Sequence, residues 1–182
     1  DGPLTVTEII YDLGPAPWDT KDTYYTTNIA TMGQLPLIVI SHGNGHSYTW
    51  YDHIGYHMAS YGYVVMSHQN NTGPGSTYAS LTTLSNTQYI LANQATIAGG
   101  VLNGHIDSSR ILWIGHSRGG EGVVRAYTRL LSGDYVSAYF DEDDIQMVMS
   151  ISPVTHIVSS LSYPDDVNFV LMYGSSDSDV SG

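Results

Sequence analysis

The sequence contains no cysteine and very little positive charge. Its 182 residues include 5 Lys and Arg against 17 Asp and Glu, which gives a formal net charge of -12. Without cysteine, neither a disulfide nor a thiolate metal site can form. The negative charge repels phosphate backbones and anionic lipid surfaces, so we expect no nucleic-acid partner. A neutral or cationic substrate suits this charge better.

Long apolar runs are also lacking. No run approaches the roughly 20 residues that a membrane span needs, and the N-terminus has neither the basic nor the apolar region of a signal peptide. Hydrophobic residues nevertheless make up 42% of the chain, which is enough for a packed core. We expect one soluble domain over residues 1–182, and the acidic composition is typical of a secreted, bacterial protein.

Strand-like and helix-like segments alternate along the chain. Two Thr- and Tyr-containing segments are typical of strands, at residues 5–11 and 24–30. Two apolar runs, at residues 37–40 and 63–66, are typical of strands buried on both faces of a parallel sheet, and three more runs are typical of strands, at residues 111–114, 147–151 and 169–173. Helical spacing occurs at residues 50–60, 84–102 and 119–131. This alternation predicts an α/β fold with a doubly wound, mostly parallel sheet, whose functional groups follow the carboxyl ends of strands.

A serine lies between glycines where the apolar run at 111–114 meets the helical segment at 119–131. The sequence Gly115-His116-Ser117-Arg118-Gly119 fits the G-x-S-x-G pattern of a sharp strand-to-helix turn. Its glycines leave room for that turn, and the helix start directs N–H groups toward an anion formed at the serine. Ser117 is therefore a candidate nucleophile. The alternative is a glycine-rich helix start with an incidental N-cap serine.

A second loop of small residues follows the apolar run at 37–40. It contains His42-Gly43-Asn44-Gly45, and such a loop lets a backbone N–H approach a carbonyl oxygen without obstruction. The candidate oxyanion donors are the backbone N–H groups of Asn44 and of Arg118, the residue after the serine. The alternative is an ordinary turn.

An acidic loop follows the last apolar run. Asp177 is the candidate for orienting a catalytic histidine, and Asp179 is the second choice. The alternative is a pair of solvated loop acids.

These three motifs, in this order, resemble the α/β-hydrolase fold. More narrowly, the chain resembles bacterial serine hydrolases of the lipase, cutinase and polyester-hydrolase type. The resemblance implies a carboxylic ester hydrolase that uses a Ser-Asp-His triad and no cofactor, with a small-molecule or polymeric ester as substrate. It assigns the nucleophile to Ser117, the triad acid to Asp177 and the oxyanion hole to Asn44 and Arg118.

The chain departs from this pattern in its histidines. In the resembled family the histidine follows the acid, behind a further strand. Here every histidine precedes Asp177, at positions His42, His46, His53, His57, His68, His105, His116 and His156. We therefore expect the last strand or strands, a helix and the catalytic histidine to be absent from residues 1–182.

Several explanations of the missing histidine stay open. The sequence belongs to a longer enzyme, or it is one chain of a cleaved or split enzyme whose second polypeptide supplies the histidine. A third explanation is that His156, which follows the run at 147–151, serves as the base. A fourth is a non-catalytic binding domain that kept the turn and lost the triad.

Four residues near the motifs are candidates for contacting the substrate: His46, Trp50, His116 and Val154. The aromatic ones would line an open cleft, and Val154 would form the opposite wall. The alternative is that they are ordinary core and surface residues.

Two further patterns have simple alternatives. Asp141-Glu142-Asp143-Asp144 offers oxygen ligands for calcium, but its spacing is not that of a calcium loop, so we expect a solvated acidic turn and no metal. Asn70-Asn71-Thr72 matches a glycosylation sequon, which matters only in a eukaryotic secretory setting.

Overall fold

One mixed sheet of seven strands organises the computed structural model of the chain. The strands are β1 Val6–Asp12, β2 Thr20–Thr26, β3 Leu35–Ser41, β4 Val64–His68, β5 Ile106–His116, β6 Ile145–Ile151 and β7 Phe169–Met172. Their order is β1-β2-β4-β3-β5-β6-β7. The pairs β1–β2 and β2–β4 are antiparallel, whereas β4, β3, β5, β6 and β7 are parallel. The carboxyl ends of these five strands therefore meet at one edge of the sheet.

The structure describes residues 1–12, 20–70, 72–73, 75–154 and 160–176. Three residues proposed for the triad lie outside these ranges: Asp177, Asp179 and His156. No helix within the described ranges is long and apolar enough to cross a membrane.

Helices cover both faces of the sheet. They are α1 Asp52–Ala59, α2 Ser76–Ala92 and α3 Arg118–Leu131. Side chains of β3 alternate between two apolar clusters: Ile38 and Ile40 lie in the cluster on the α1 side, and Leu37 and Val39 lie in the cluster with α2 and α3. The unbroken apolar run of β3 follows from burial on both faces. The doubly wound α/β architecture predicted by the sequence is confirmed.

The predicted helix at 84–102 was placed too far along the chain. Helix α2 begins at Ser76 and ends at Ala92, and a 3-10 helix with left-handed backbone at Ala98 and Gly99 follows. The early turns are rich in Ser and Thr, which normally favour turns. Here buried hydroxyls bond to carbonyls one turn back, as when Thr83 Oγ1 donates to the Ala79 oxygen at 3.0 Å, so the polar residues are accommodated in the helix.

The strand predicted at 24–30 has different bounds as well. β2 begins at Thr20 and ends at Thr26, and a 3-10 helix, Ile29–Thr31, follows it. Ile29 is buried all the same, because the turn directs its side chain into the core. The Thr- and Tyr-rich composition of this segment did not reveal where the strand ends.

Strand β7 is an open edge of the sheet. It pairs with β6 on one side, and no other strand within the described ranges pairs with its second side. All four of its residues are exposed, including Leu171 at 50%. An exposed apolar edge of this kind favours pairing with a further strand.

A buried acidic cluster lies between β2 and α1. Asp22 is fully buried, and the Tyr24 hydroxyl lies 2.8 Å from Asp22 Oδ2 and 2.7 Å from Asp52 Oδ1. Tyr24 has one proton to donate, so both contacts are hydrogen bonds only if one carboxyl is protonated. Burial raises the pKa of Asp22 to about 7, and a hydrogen bond with Glu8 contributes to the rise. The cluster therefore holds a proton in the folded state.

Replacing Asp22 by asparagine is expected to change how stability depends on pH. The folded protein keeps the Asp22 proton up to a pH of about 7, whereas an unfolded aspartate releases it at about 4. The folded state therefore binds the extra proton between these values, and the contribution of Asp22 to the unfolding free energy falls as pH rises from about 4 to about 7. Urea unfolding at pH 4 and at pH 7 should show the unfolding free energy of the wild type falling by about 3 kcal/mol relative to that of Asp22→Asn.

The matched control for this prediction is Asp134→Asn, at an exposed position. It removes a carboxylate without touching the buried cluster. A stability difference between wild type and Asp22→Asn that stays constant across the pH range would show that Asp22 holds no extra proton.

Candidate active site

Ser117 occupies a strained turn between β5 and α3. Its backbone has φ 53° and ψ -120°, a conformation that L-residues with a side chain seldom adopt. The Ser117 N–H donates to the Ile151 oxygen at 2.9 Å, and the Ser117 oxygen accepts from the Glu121 N–H at 3.2 Å. These bonds hold the strained residue from both sides. The strand–turn–helix arrangement predicted around the serine is present.

The two glycines of the motif are required by close backbone contacts. A Cβ on Gly115 would lie 2.2 Å from the Gly119 oxygen, and a Cβ on Gly119 would lie 2.2 Å from the Ser41 oxygen. Both contacts are with backbone atoms, which cannot rotate away as a flexible side chain can. The turn is therefore packed directly against the end of β3.

The loop after β3 lies beside the serine. A Cβ on Gly43 would be 3.0 Å from Ser117 Cβ, so a side chain there would force the loop or the turn to shift by a few tenths of an ångström. Asn44 Oδ1 accepts a hydrogen bond from Arg118 Nη1 at 3.0 Å, which links the two candidate oxyanion residues through their side chains. Within the described ranges, the backbone N–H groups of Asn44 and Arg118 donate to no other residue.

His42 supports this loop from behind. The buried imidazole Nε2 accepts the Asn70 N–H at 2.7 Å, so the proton must lie on Nδ1, which donates to the Gly43 oxygen at 2.7 Å. Burial lowers the pKa of His42, which favours this neutral form. His42 is therefore part of the support of the loop and has no nitrogen left for proton transfer.

Asn70 is a supporting residue that the sequence analysis treated only as part of a sequon. Its side chain is 4% exposed, and Nδ2 donates to Ser41 Oγ at 2.6 Å and to the His42 oxygen at 3.1 Å. The nitrogen that would carry a glycan is thus engaged inside the protein. No local pattern in the sequence marks this role, because a single Asn near a strand end is common.

The four candidate substrate residues are connected to the Ser117 turn, directly for His116 and Val154 and through ring contacts for His46 and Trp50. His46 stacks against Trp50, with ring centroids 4.3 Å apart, and against His116 at 5.0 Å. Trp50 is 59% exposed and forms the outer side of this wall. Val154 lies next to the turn, where its N–H donates to the Ser117 oxygen at 3.4 Å. The three rings form an aromatic wall that meets the turn at His116, the residue before Ser117.

None of the histidines in the described ranges is hydrogen-bonded to the Ser117 hydroxyl. His46 Nδ1 and His116 Nδ1 instead contact the Tyr51 hydroxyl, at 3.1 and 3.0 Å. His68 is fully buried behind β3, and burial lowers its pKa to about 3.

The acidic segment at 141–144 forms a capped turn. Asp141 Oδ1 accepts from the Asp143 N–H at 3.1 Å, and Asp144 Oδ2 accepts from the Asp141 N–H at 3.0 Å. The carboxylates thereby satisfy the backbone of a 3-10 helix. In the described part of the chain, no three side chains of the metal-ligating types are placed to share an ion.

Comparison with known proteins supports a hydrolase. The family described as "Platelet-activating factor acetylhydrolase, isoform II" matches residues 19–95, which is less than half of the chain. The matched stretch includes the loop at 42–45 and ends before Ser117. No curated protein matches the chain. This match and the architecture favour an enzyme over a non-catalytic binding domain, and they support a hydrolase of α/β-hydrolase fold that acts on ester bonds.

Proposed function

We propose that Ser117 is the nucleophile of this ester hydrolase. The observation that carries the proposal is the strained turn at φ 53°, packed against the loop at Gly43. Strain at a single non-glycine residue is typical of functional positions, because the surrounding packing must hold it there. The same turn places the hydroxyl at the start of α3, where N–H groups and the helix dipole favour a developing anion.

The oxyanion hole in this proposal consists of the backbone N–H groups of Asn44 and Arg118. Attack of Ser117 Oγ on an ester carbonyl carbon forms a tetrahedral intermediate, whose oxygen would accept both hydrogen bonds. The intermediate then expels the alcohol and leaves an acyl-enzyme on Ser117. Water hydrolyses this ester and frees the serine. The side-chain bond between Arg118 and Asn44 holds the two donors in a fixed relation.

The proton acceptor is proposed to be an imidazole oriented by Asp177, with Asp179 as the second choice for the acid. His156 is one source of the imidazole. The other is polypeptide that follows Asp177 or comes from a second chain. The open edge of β7, whose four residues are all exposed, supports the second source, because an exposed apolar strand favours pairing with a further strand.

We propose carboxylic esters of the carboxylesterase, lipase or cutinase type as substrates. The aromatic wall of His46, Trp50 and His116 supports this, since rings beside a nucleophile bind apolar acyl or aromatic groups. We also propose, from the acidic composition, that the protein is secreted by a bacterium.

Labelling with a fluorophosphonate tests the nucleophile. We expect a covalent adduct on Ser117, complete loss of labelling in Ser117→Ala, and unchanged labelling in Ser108→Ala, which removes an exposed hydroxyl from the far end of β5. Mass spectrometry of the labelled peptide identifies the serine. Labelling that persists in Ser117→Ala would refute the proposal.

The same assay separates the two sources of the imidazole. If His156 is the base, His156→Ala should slow labelling of the 182-residue chain by several orders of magnitude. If the base comes from further polypeptide, the chain alone should label slowly and His156→Ala should not slow it further. Hydrolysis of p-nitrophenyl acetate compared with p-nitrophenyl palmitate then distinguishes an esterase from a lipase.

A further inference from the structure

Tyr51 lies between the loop after β3 and the Ser117 turn, although it belongs to neither of these two motifs. It ends the 3-10 helix Tyr48–Tyr51 and is 7% exposed. Its hydroxyl is 3.4 Å from the Gly43 nitrogen, 3.1 Å from His46 Nδ1 and 3.0 Å from His116 Nδ1. One buried phenol therefore contacts the loop after β3, the aromatic wall and the residue before Ser117.

The hydrogen-bonding capacity of this phenol is fully used. A tyrosine hydroxyl has one proton and two lone pairs. The Gly43 N–H donates to one lone pair, so the hydroxyl must donate to one imidazole Nδ1 and accept from the Nδ1–H of the other. Burial raises the pKa of Tyr51 to about 12, and burial lowers the pKa of His46, so both groups are neutral near pH 7. The contacts require a protonated phenol and one imidazole whose Nδ1 carries no proton.

The two groups that Tyr51 joins flank the proposed oxyanion hole. Gly43 precedes Asn44, and His116 precedes Ser117. The loop and the turn touch at this point, since a Cβ on Gly43 would be 3.0 Å from His116 Nδ1. A small rotation of the loop about Gly43 would change the distance between the Asn44 N–H and Ser117.

We propose that Tyr51 is a positioning residue that holds the Asn44 N–H at the Ser117 turn through its hydrogen bonds to Gly43 and His116. The proposal rests on the function proposed for Ser117 and Asn44. Since His42 and Asn70 restrain the loop from the opposite side, loss of the phenol loosens one side of the loop and leaves the other in place. The oxyanion donor is then less well aligned in the transition state, while substrate binding in the ground state is largely retained.

Tyr51→Phe tests this role because it removes only the hydroxyl. We expect kcat for p-nitrophenyl acetate to fall about 10-fold or more, with KM changed by less than about 2-fold. The matched control is Tyr61→Phe, which removes the hydroxyl of a tyrosine that is 55% exposed after α1, and we expect wild-type kinetics from it.

Inhibition by an arylboronic acid separates positioning from a loss of folded protein. The boronate adduct on serine mimics the tetrahedral intermediate, so its inhibition constant reports the alignment of the oxyanion hole in those molecules that are folded. We expect the constant to rise about as much as kcat falls. A lower kcat with an unchanged inhibition constant would mean only that less protein is folded, and would overturn the proposal.

Failure of this proposal is distinguishable from failure of the proposed function. If Ser117→Ala still hydrolyses the ester, the function assigned to Ser117 is wrong. If Ser117→Ala is inactive and Tyr51→Phe matches the wild type in kcat and in boronate affinity, only the positioning role of Tyr51 is wrong.

Discussion

Replacing Gly119 by alanine is expected to reduce ester hydrolysis by about 100-fold or more, because misplacement of a reacting group by about 1 Å costs that much. The added Cβ would lie 2.2 Å from the Ser41 oxygen and 2.5 Å from the His42 oxygen. Both are backbone atoms in a buried strand end, so α3 must move instead. That movement takes the Arg118 N–H and Ser117 away from the Asn44 loop. The ratio kcat/KM for p-nitrophenyl acetate measures the effect.

The control for this substitution is Gly33→Ala. A Cβ on Gly33 would meet nothing within 4 Å, and its backbone φ is not in the left-handed region. We expect this variant to keep wild-type activity. Overpacking also predicts that Gly119→Ala loses about 1–3 kcal/mol of unfolding free energy. Near-wild-type activity in Gly119→Ala would show that the turn and the loop are not packed as tightly as the structure indicates.

Replacing Glu121 by alanine is expected to cost about 3–5 kcal/mol of unfolding free energy, because it leaves a buried cation without its partner. Glu121 and Arg125 form an ion pair on α3, at 4% and 6% exposure. Glu121 Oε2 also accepts from Ser76 Oγ at 2.6 Å, and Arg125 Nη1 donates to Thr77 Oγ1 at 2.9 Å. The pair thus joins α3 to the first turn of α2.

Urea unfolding of two further variants defines the origin of this effect. Asp107→Ala breaks the exposed pair between Asp107 and Arg110 and should cost less than about 1 kcal/mol. The double variant Glu121→Leu/Arg125→Met removes both charges, so we expect it to recover most of the stability that Glu121→Ala loses. A loss in Glu121→Ala as small as that in Asp107→Ala would contradict the buried ion pair.

Local patterns in the sequence were sufficient for the architecture. The apolar runs that became β3 and β4 were recognisable because strands buried on both faces leave no polar alternation, whereas β7 has the apolar run although all four of its residues are exposed. Segment ends were less predictable. Helix α2 begins eight residues before the predicted start, since its buried Ser and Thr residues bond to their own helix, and only the packed neighbours reveal this.

The candidate site was predictable where its chemistry is local and not where it depends on packing. The turn at Ser117 could be anticipated from two glycines and a strand–helix junction, and the loop at Asn44 from small residues after a strand. Tyr51 and Asn70 carried no such signal, because a single Tyr or Asn is common on any surface. Their importance comes from the partners that the fold places within 3.4 Å of them.

The sequence by itself determined the α/β class, the excess of acidic residues and the presence of a strained serine turn, because each depends on composition or on neighbours along the chain. Only the tertiary structure decided that Gly43 touches Ser117, that one phenol links both, and that Glu121 and Arg125 neutralise each other inside the protein. Gly43 and Ser117 are far apart in the chain and meet because β3 and β5 are parallel neighbours. Such contacts follow from the strand order, which no local segment of the sequence encodes.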